Sequence, residues 1–147
     1  MLVIEKLPSS LLPAQLTGLR RDIVLMTSEE RRWVRRRTVT AAGREIALAL
    51  PTGTVLEPGA IIVLEPDWYL EVEAAPEAVL AIRPHDRETA IRIAFEIGNH
   101  HFPLALEGDE LLVPDDTAMV QLLSRLGAIW VRRRAIFNPL AKGHTHE

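Results

Sequence analysis

The sequence contains no cysteine, which excludes disulfide bonds, thiolate nucleophiles and thiolate zinc sites. Any metal site must therefore use imidazole, carboxylate or backbone ligands. Long hydrophobic runs are also missing, because stretches such as Ile61–Leu64 are far too short to span a bilayer. The first residues, Met1-Leu-Val-Ile-Glu5, lack a basic start followed by a long apolar run. We therefore expect no signal peptide, no membrane partner and a cytoplasmic location.

A strong net charge is absent as well. The formal net charge is −3 over 147 residues with neutral histidines, so nothing global indicates nucleic acid as the main partner. The chain also lacks a Gly-x-Ser-x-Gly elbow, a phosphate-binding glycine loop and a His-Glu-x-x-His pair. Its composition, 48% hydrophobic and 25% charged, is that of an ordinary globular protein. We expect a folded protein that is not an enzyme.

The first half of the chain has the pattern of short β-strands. Turn signals such as Ala42-Gly43 and Glu57-Pro-Gly59 separate segments rich in β-branched or aromatic residues. The predicted strands are Ile23–Met26, Val34–Val39, Glu45–Leu50, Ile61–Leu64 and Trp68–Glu73. Thr27 and Glu30 have the spacing of a capping box for a single helical turn. The sequence therefore predicts an all-β, peptide-binding-like domain over residues 1–74.

The second half alternates strands with amphipathic helices. A helix is predicted to begin after Asp86 and to end at Gly98, and a second is capped by Asp115 or Asp116 and ended by Gly127. The predicted strands are Ala78–Ile82, His101–Leu106, Glu110–Val113 and a last one from Ala128 onward. The order βαββαβ is that of a ferredoxin-like domain, which we place at residues 75–138. The fold class is α+β, with a flexible, histidine-containing tail at residues 139–147.

A motif at the end of the first predicted helix resembles that of a known family. Ala94-Phe-Glu-Ile-Gly-Asn-His-His-Phe-Pro-Leu104 is similar to the signature of the urease accessory nickel metallochaperone family (UreE), in which a helix ends in Gly-Asn-Arg-His-x-Pro. Other segments resemble the family in the same order along the chain: Leu25–Arg31, Arg35–Arg37, Leu48–Leu56 and Ala74–Val79. The resemblance covers the chain from about residue 20 to about residue 130.

The resemblance implies a function and a metal site. Two chains of this family pair through the second domain, so His101 of each chain would share one ion across the dimer axis. The implied function is delivery of nickel to the urease maturation machinery, with the urease accessory GTPase and the urease apoprotein complex as partners of the homodimer. Ni²⁺ suits imidazole ligands, although Zn²⁺ and Cu²⁺ bind them too.

The other histidines each allow two interpretations. His100 replaces the family's usual arginine and is either an extra ligand or a polar substitute; on a strand it would face away from His101. His144 and His146 in the tail are either auxiliary ligands that chelate one ion together or part of a polar end. His85 fits a solvated loop or a capping position before the first helix.

Two arginine runs support a rival hypothesis, an arginine-rich protein- or RNA-binding module with incidental metal binding. Arginines surround Trp33 between Arg31 and Arg37, and a second run is Arg132–Arg134. Ferredoxin-like folds host RNA-binding domains, but the strands carry no aromatic pair for base stacking, so we expect no nucleic-acid partner. Arg35 and Arg37 are instead candidates for docking an acidic partner protein; the alternative is a solvated strand face.

Overall fold

The computed structural model describes residues 1–9, 11 and 13–140 of the chain. Contacts divide the chain into two compact units, the first formed by Met1–Ala75 and the second beginning at Pro76. The first unit is built of strands, and the second combines a sheet with two helices, which confirms the α+β class. Within the described residues no helix is long and apolar enough to cross a membrane.

The described part of the first unit contains two three-stranded sheets, of order β1-β4-β3 and β2-β6-β5. The strands are β1 (Leu2–Ile4), β2 (Arg20–Met26), β3 (Arg35–Val39), β4 (Glu45–Ala49), β5 (Ile61–Leu64) and β6 (Trp68–Ala74). Strand β1 was not predicted from the sequence, because it is a three-residue strand that exists through its parallel pairing with β4. The two sheets share one apolar core, to which strands of both contribute.

Thr27 and Glu30 form the turn after β2 that the sequence predicts. The hydroxyl of Thr27 accepts from the backbone N–H of Glu30 at 3.2 Å, and the Glu30 carboxylate accepts from the N–H of Thr27 at 2.9 Å. These reciprocal bonds form the predicted capping box of a short 3-10 turn, Glu30–Arg32.

A buried carboxylate fastens the turn between β3 and β4 to strand β2. Asp22 is only 5% exposed, and its oxygens accept from the Thr40 hydroxyl at 2.6 Å and from Arg44 Nη1 at 2.8 Å. The backbone N–H groups of Ala42 and Ile23 donate to the same carboxylate at 3.0 and 2.8 Å. Burial raises the pKa of Asp22, but these donors together outweigh it, and the net pKa is lowered.

The second unit is a four-stranded antiparallel sheet of order β10-β7-β9-β8. Its elements are β7 (Pro76–Ile82), α1 (Arg87–Asn99), β8 (Ala105–Glu107), β9 (Glu110–Pro114), α2 (Thr117–Arg125) and β10 (Trp130–Ile136). The observed order βαββαβ confirms the predicted ferredoxin-like arrangement. The last strand begins at Trp130, two residues later than predicted, because Ala128 completes the turn that ends α2.

Both faces of this sheet are covered. The side chains of β7 alternate between the two faces: Leu80 and Ile82 pack under the two helices, whereas Val79 and Ala81 pack with Phe137 on the opposite face.

Both helices begin at an aspartate cap. Asp86 accepts from the N–H of Thr89 at 2.8 Å, and Asp116, not Asp115, accepts from the N–H of Met119 at 2.8 Å.

Candidate metal centre

His101 lies in the tight turn that ends helix α1. Its N–H donates to the carbonyl of Gly98 at 3.0 Å, and the N–H of Phe102 donates to the carbonyl of Ile97 at 3.1 Å. This pair of bonds is a Schellman motif, in which the second residue after the helix adopts the left-handed conformation. That residue is His101, whose φ is 64° and whose side chain is exposed.

Among the described residues His101 is the only non-glycine with a positive φ. The matching position after α2 is Gly127 (φ 70°), which donates to the carbonyl of Ser124 at 3.2 Å while Ala128 donates to that of Leu123 at 3.0 Å. A left-handed backbone is about 1 kcal/mol costlier for a residue with a Cβ than for glycine. The backbone of His101 is therefore strained, and strained backbone positions cluster at functional sites.

Two predictions about this turn are wrong. Helix α1 does not end at Gly98 but continues through it to Asn99, and the left-handed residue is His101. His101 does not begin a strand either, because the N–H groups of His101 and Phe102 are used by the helix end and Pro103 has none to offer a ladder.

The strand that follows the turn is therefore short. It covers only Ala105–Glu107, not His101–Leu106. Within the strand the side chains alternate: Ala105 and its partner Leu112 lie on one face of the sheet. Leu106 shares the helix-covered face with its partner Leu111 but is 58% exposed, because β8 is an edge strand. The orientation of His101 is thus decided by the end of α1 and not by the sheet.

His100 is the C-cap residue of α1, and it contacts one aromatic and one acidic side chain. Its ring stacks on that of Phe102, with centroids 6.4 Å apart and an angle of 23° between the planes. Its Nε2 atom lies 3.9 Å from Oε1 of Glu96, one helical turn earlier. The argument that His100 faces away from His101 on a strand therefore does not apply. Sequence reasoning missed Glu96, although its i, i+4 spacing to His100 was readable.

The described residues of one chain do not form a complete metal site. No group of three or more histidine, aspartate or glutamate side chains in this part of the chain could hold an ion together. His85 is paired with Asp86, Nε2 to Oδ2 3.2 Å, next to the cap of α1. The predicted auxiliary ligands His144 and His146 lie outside the described residues.

The second arginine run is occupied by contacts within its own unit. Arg132 pairs with Asp115 at 3.1 Å, Arg133 with Glu107 and Glu110 at 2.6 Å each, and Arg134 donates to the carbonyl of Pro76 at 3.0 Å. The hydrogen bond from Arg133 lowers the pKa of Glu110. The second run is thus paired with acidic and backbone groups of its own unit, unlike Arg35 and Arg37 of the first run.

The first arginine run is divided between the 3-10 turn Glu30–Arg32, where Arg31 is buried and donates to the carbonyl of Met26 at 3.1 Å, and β3, an edge strand of its sheet. Arg35 and Arg37 are exposed on one face of the strand, and within the described residues neither makes an ion pair. Arg36, between them, is half-buried; its guanidinium lies 5.5 Å from the Trp33 ring centroid and 3.6 Å from Glu30. The strand therefore presents two cationic side chains to solvent.

Comparison with known proteins identifies the class of protein. The domain family described as UreE urease accessory protein, N-terminal domain, matches residues 4–75, and its C-terminal counterpart matches residues 77–147. Together these matches cover nearly all of the chain, and the boundary between them falls where the two structural units meet.

The chain belongs to the UreE family of urease accessory proteins, which confirms the resemblance read from the motif. It is 44% identical to the urease accessory protein UreE of Synechococcus sp. (strain JA-3-3Ab) over 123 residues, 82% of each chain. It is 39% identical to that of Cupriavidus necator over 121 residues, which are 80% of this chain and 63% of the relative. The Ralstonia nicotianae relative matches at 38% over 108 residues, 51% of its length.

The chain thus spans only part of several longer relatives. The family is one of accessory chaperones and not of enzymes, as the sequence predicted.

Proposed function

We propose that this chain is a nickel-binding metallochaperone that delivers nickel to the urease maturation machinery of the cytoplasm. An accessory role in urease maturation implies the handling of a metal. The observation that carries the proposal is His101, an exposed imidazole on a strained left-handed residue at a hydrogen-bonded helix end. A neutral imidazole suits Ni²⁺, and the same ligand also binds Zn²⁺ and Cu²⁺.

The proposed ion is shared by two chains. One imidazole holds an ion weakly, and the described residues of a single chain provide no set of three ligands around one point. A two-fold axis beside His101 would bring a second copy of the same imidazole to the ion. His144 and His146, and also His100, are proposed auxiliary ligands that fill remaining coordination positions. A carrier with few protein ligands retains open positions through which it can transfer the ion.

Helix α1 has the surface that such a homodimer needs. Ile91 and Phe95, one turn apart, are 57% and 66% exposed on the helix that leads to His101. Gly98 follows them, although glycine inside a helix costs about 0.5–1 kcal/mol relative to alanine. A Cβ added to Gly98 would meet nothing within 4 Å, so no contact with residues 1–9, 11 or 13–140 requires glycine there. Close approach of a second copy explains both the apolar residues and the glycine.

The proposed protein partners are the urease accessory GTPase and the urease apoprotein complex. Arg35 and Arg37 on edge strand β3 are the residues we propose for docking an acidic surface of such a partner, because they are exposed and not engaged in ion pairs within the described residues. Arg132 and Arg133 of the second run, by contrast, are already paired with carboxylates of their own unit.

Nickel titration by calorimetry tests the metal site. The parent chain is expected to bind about one tight ion per two chains, and His101→Ala to lose that binding because both imidazoles of the shared site disappear together. A chain ending at Lys142, which lacks the tail histidines, is expected to bind the same number of tight ions with weaker affinity. Titrations with Zn²⁺ and Cu²⁺ measure the preference among the metals. Equally tight nickel binding by His101→Ala would refute the proposal.

The α1 surface is tested by Phe95→Asp. A charge at a buried dimer contact is strongly unfavourable, so this variant is expected to sediment as a monomer under conditions where the parent chain is a dimer. It should also lose the stoichiometry of one nickel per two chains, with His101 intact. Analytical ultracentrifugation with and without nickel gives both results.

Two further variants, a control and a second test, examine this surface. Val39→Asp places the same charge on a residue of the first unit that is 56% exposed, and its dimerisation should be unchanged. Gly98→Ala should strengthen the isolated helix but weaken the dimer, because the added methyl occupies the space between copies. A dimer that persists in Phe95→Asp would show that this helix face is not the interface.

A further inference from the structure

We propose that Glu96 and His100 form a second, weaker cation subsite on the last turn of α1, one in each chain. The subsite takes a divalent transition ion such as Ni²⁺ or Zn²⁺ and lies one residue from the His101 position. This subsite rests on the proposed nickel-carrier function, because it would capture an ion next to the shared His101 site. Unlike the shared site, it is formed by one chain and needs no dimer axis.

The spacing of the two side chains is that of a chelate. They lie at i and i+4 on one helix, and Nε2 of His100 is 3.9 Å from Oε1 of Glu96. Two cis ligands at metal bonds of about 2.0–2.2 Å stand about 3 Å apart. A small side-chain rotation therefore brings both atoms onto one ion. Their side chains are 42% and 37% exposed, so an ion can reach them and water can complete its coordination.

The turn that carries the pair is held in place. The N–H of His100 donates to the carbonyl of Glu96 at 3.1 Å, and the Schellman bonds of His101 and Phe102 close the same turn. The ring of His100 stacks on Phe102, which packs against the core of its unit. Backbone and ring are thus largely positioned before an ion arrives, which reduces the ordering that binding requires.

The electrostatics of this helix end favour a cation. A helix C-terminus carries partial negative charge from its last carbonyl groups. Helix α2 has Arg125 in its last turn, whereas α1 has no basic residue there. Glu96 adds a carboxylate to the same end. The alternative is an ordinary i, i+4 pair between Glu96 and a protonated His100, which predicts no affinity for metal.

Replacement of His100 by arginine separates these two explanations, because arginine keeps a cation beside Glu96 but does not ligate a metal. The test uses the full chain with His101, His144 and His146 changed to alanine, so that His85 and His100 are the remaining imidazoles. Nickel chloride is titrated by calorimetry, and paramagnetic broadening of side-chain signals is followed by NMR.

The expected result is one weak ion per chain, with broadening centred on His100 and Glu96. Glu96→Gln should weaken the binding at least tenfold and His100→Arg should abolish it, whereas His85→Ala should leave it unchanged. Absence of binding, or binding that Glu96→Gln does not weaken, would overturn the subsite. If the background variant fails to fold, the weak second phase of the parent chain's titration, compared with that of His100→Arg, decides the same question.

His100 is also a proposed auxiliary ligand of the shared ion, but the two sites are tested by separate measurements. If His101→Ala still binds nickel tightly and the Glu96–His100 pair also binds an ion, the proposed dimer site alone is refuted. Loss of the shared ion in His101→Ala, together with no weak phase, would refute the subsite alone.

Discussion

His101→Gly is expected to abolish the tight nickel site and, at the same time, to raise the unfolding temperature of the metal-free protein. The left-handed φ of 64° costs a residue with a Cβ about 1 kcal/mol that glycine does not incur. Relief of this strain raises the thermal midpoint of a domain this size by about 2–8 °C. Removal of the imidazole from both chains weakens nickel binding by more than about 100-fold, since loss of outer partners alone costs 10–100-fold. Calorimetric unfolding and nickel titration measure the two effects.

Gly127 provides a matched control for this variant, because it occupies the same position of the same motif after α2. Gly127→Ala should lower the free energy of unfolding by about 1 kcal/mol and leave nickel affinity unchanged. Opposite stability changes at two equivalent positions would assign the effect to backbone conformation. A His101→Gly variant less stable than the parent would instead show that contacts of the imidazole outweigh the strain.

Asp22→Ala is expected to lower the free energy of unfolding of the first unit by about 3 kcal/mol, a large effect for one polar residue. The substitution removes an acceptor that is 5% exposed and leaves the Thr40 hydroxyl and the N–H of Ala42 without their partner. Urea unfolding followed by tryptophan fluorescence measures the loss. Trp68 reports on the site directly, because the guanidinium of Arg44 stacks 3.7 Å from its ring centroid. Glu73→Ala, which breaks an exposed pair with Arg21, should cost less than about 0.5 kcal/mol.

The same carboxylate predicts a direction for the effect of acid. The pKa of Asp22 in the folded state is lowered below its unfolded value of about 3.9, as the hydrogen bonds outweigh burial. Its contribution to stability is therefore fully present above about pH 4 and is lost as the pH falls through the folded pKa. Asp22→Asn cannot titrate, so its stability should fall less steeply than that of the parent chain below pH 4. An equally steep loss of stability below pH 4 in the parent chain and in Asp22→Asn would contradict this role of Asp22.

Most of the secondary structure was predictable because its signals are local. The capping aspartates, the Thr27–Glu30 box and Gly127 each act through hydrogen bonds or dihedral angles within a few residues, and all are observed in these roles. Strand β1 was missed because its pairing with β4 joins residues distant in the sequence. The pairing of Glu96 with His100 was not predicted, although their i, i+4 spacing on a predicted helix already placed them on one face.

The sequence by itself determined the family and the βαββαβ order, since a motif and a periodic pattern are properties of residue order, and it selected His101 as the proposed metal ligand. The conformation of His101 was decided only by the tertiary structure. Gly98 is the residue that intrinsic preference selects to end the helix, but the packing of Phe102 and Leu104 on the core sets where the chain must turn. Packing outweighs about 1 kcal/mol of backbone preference, and the left-handed position therefore falls on the histidine.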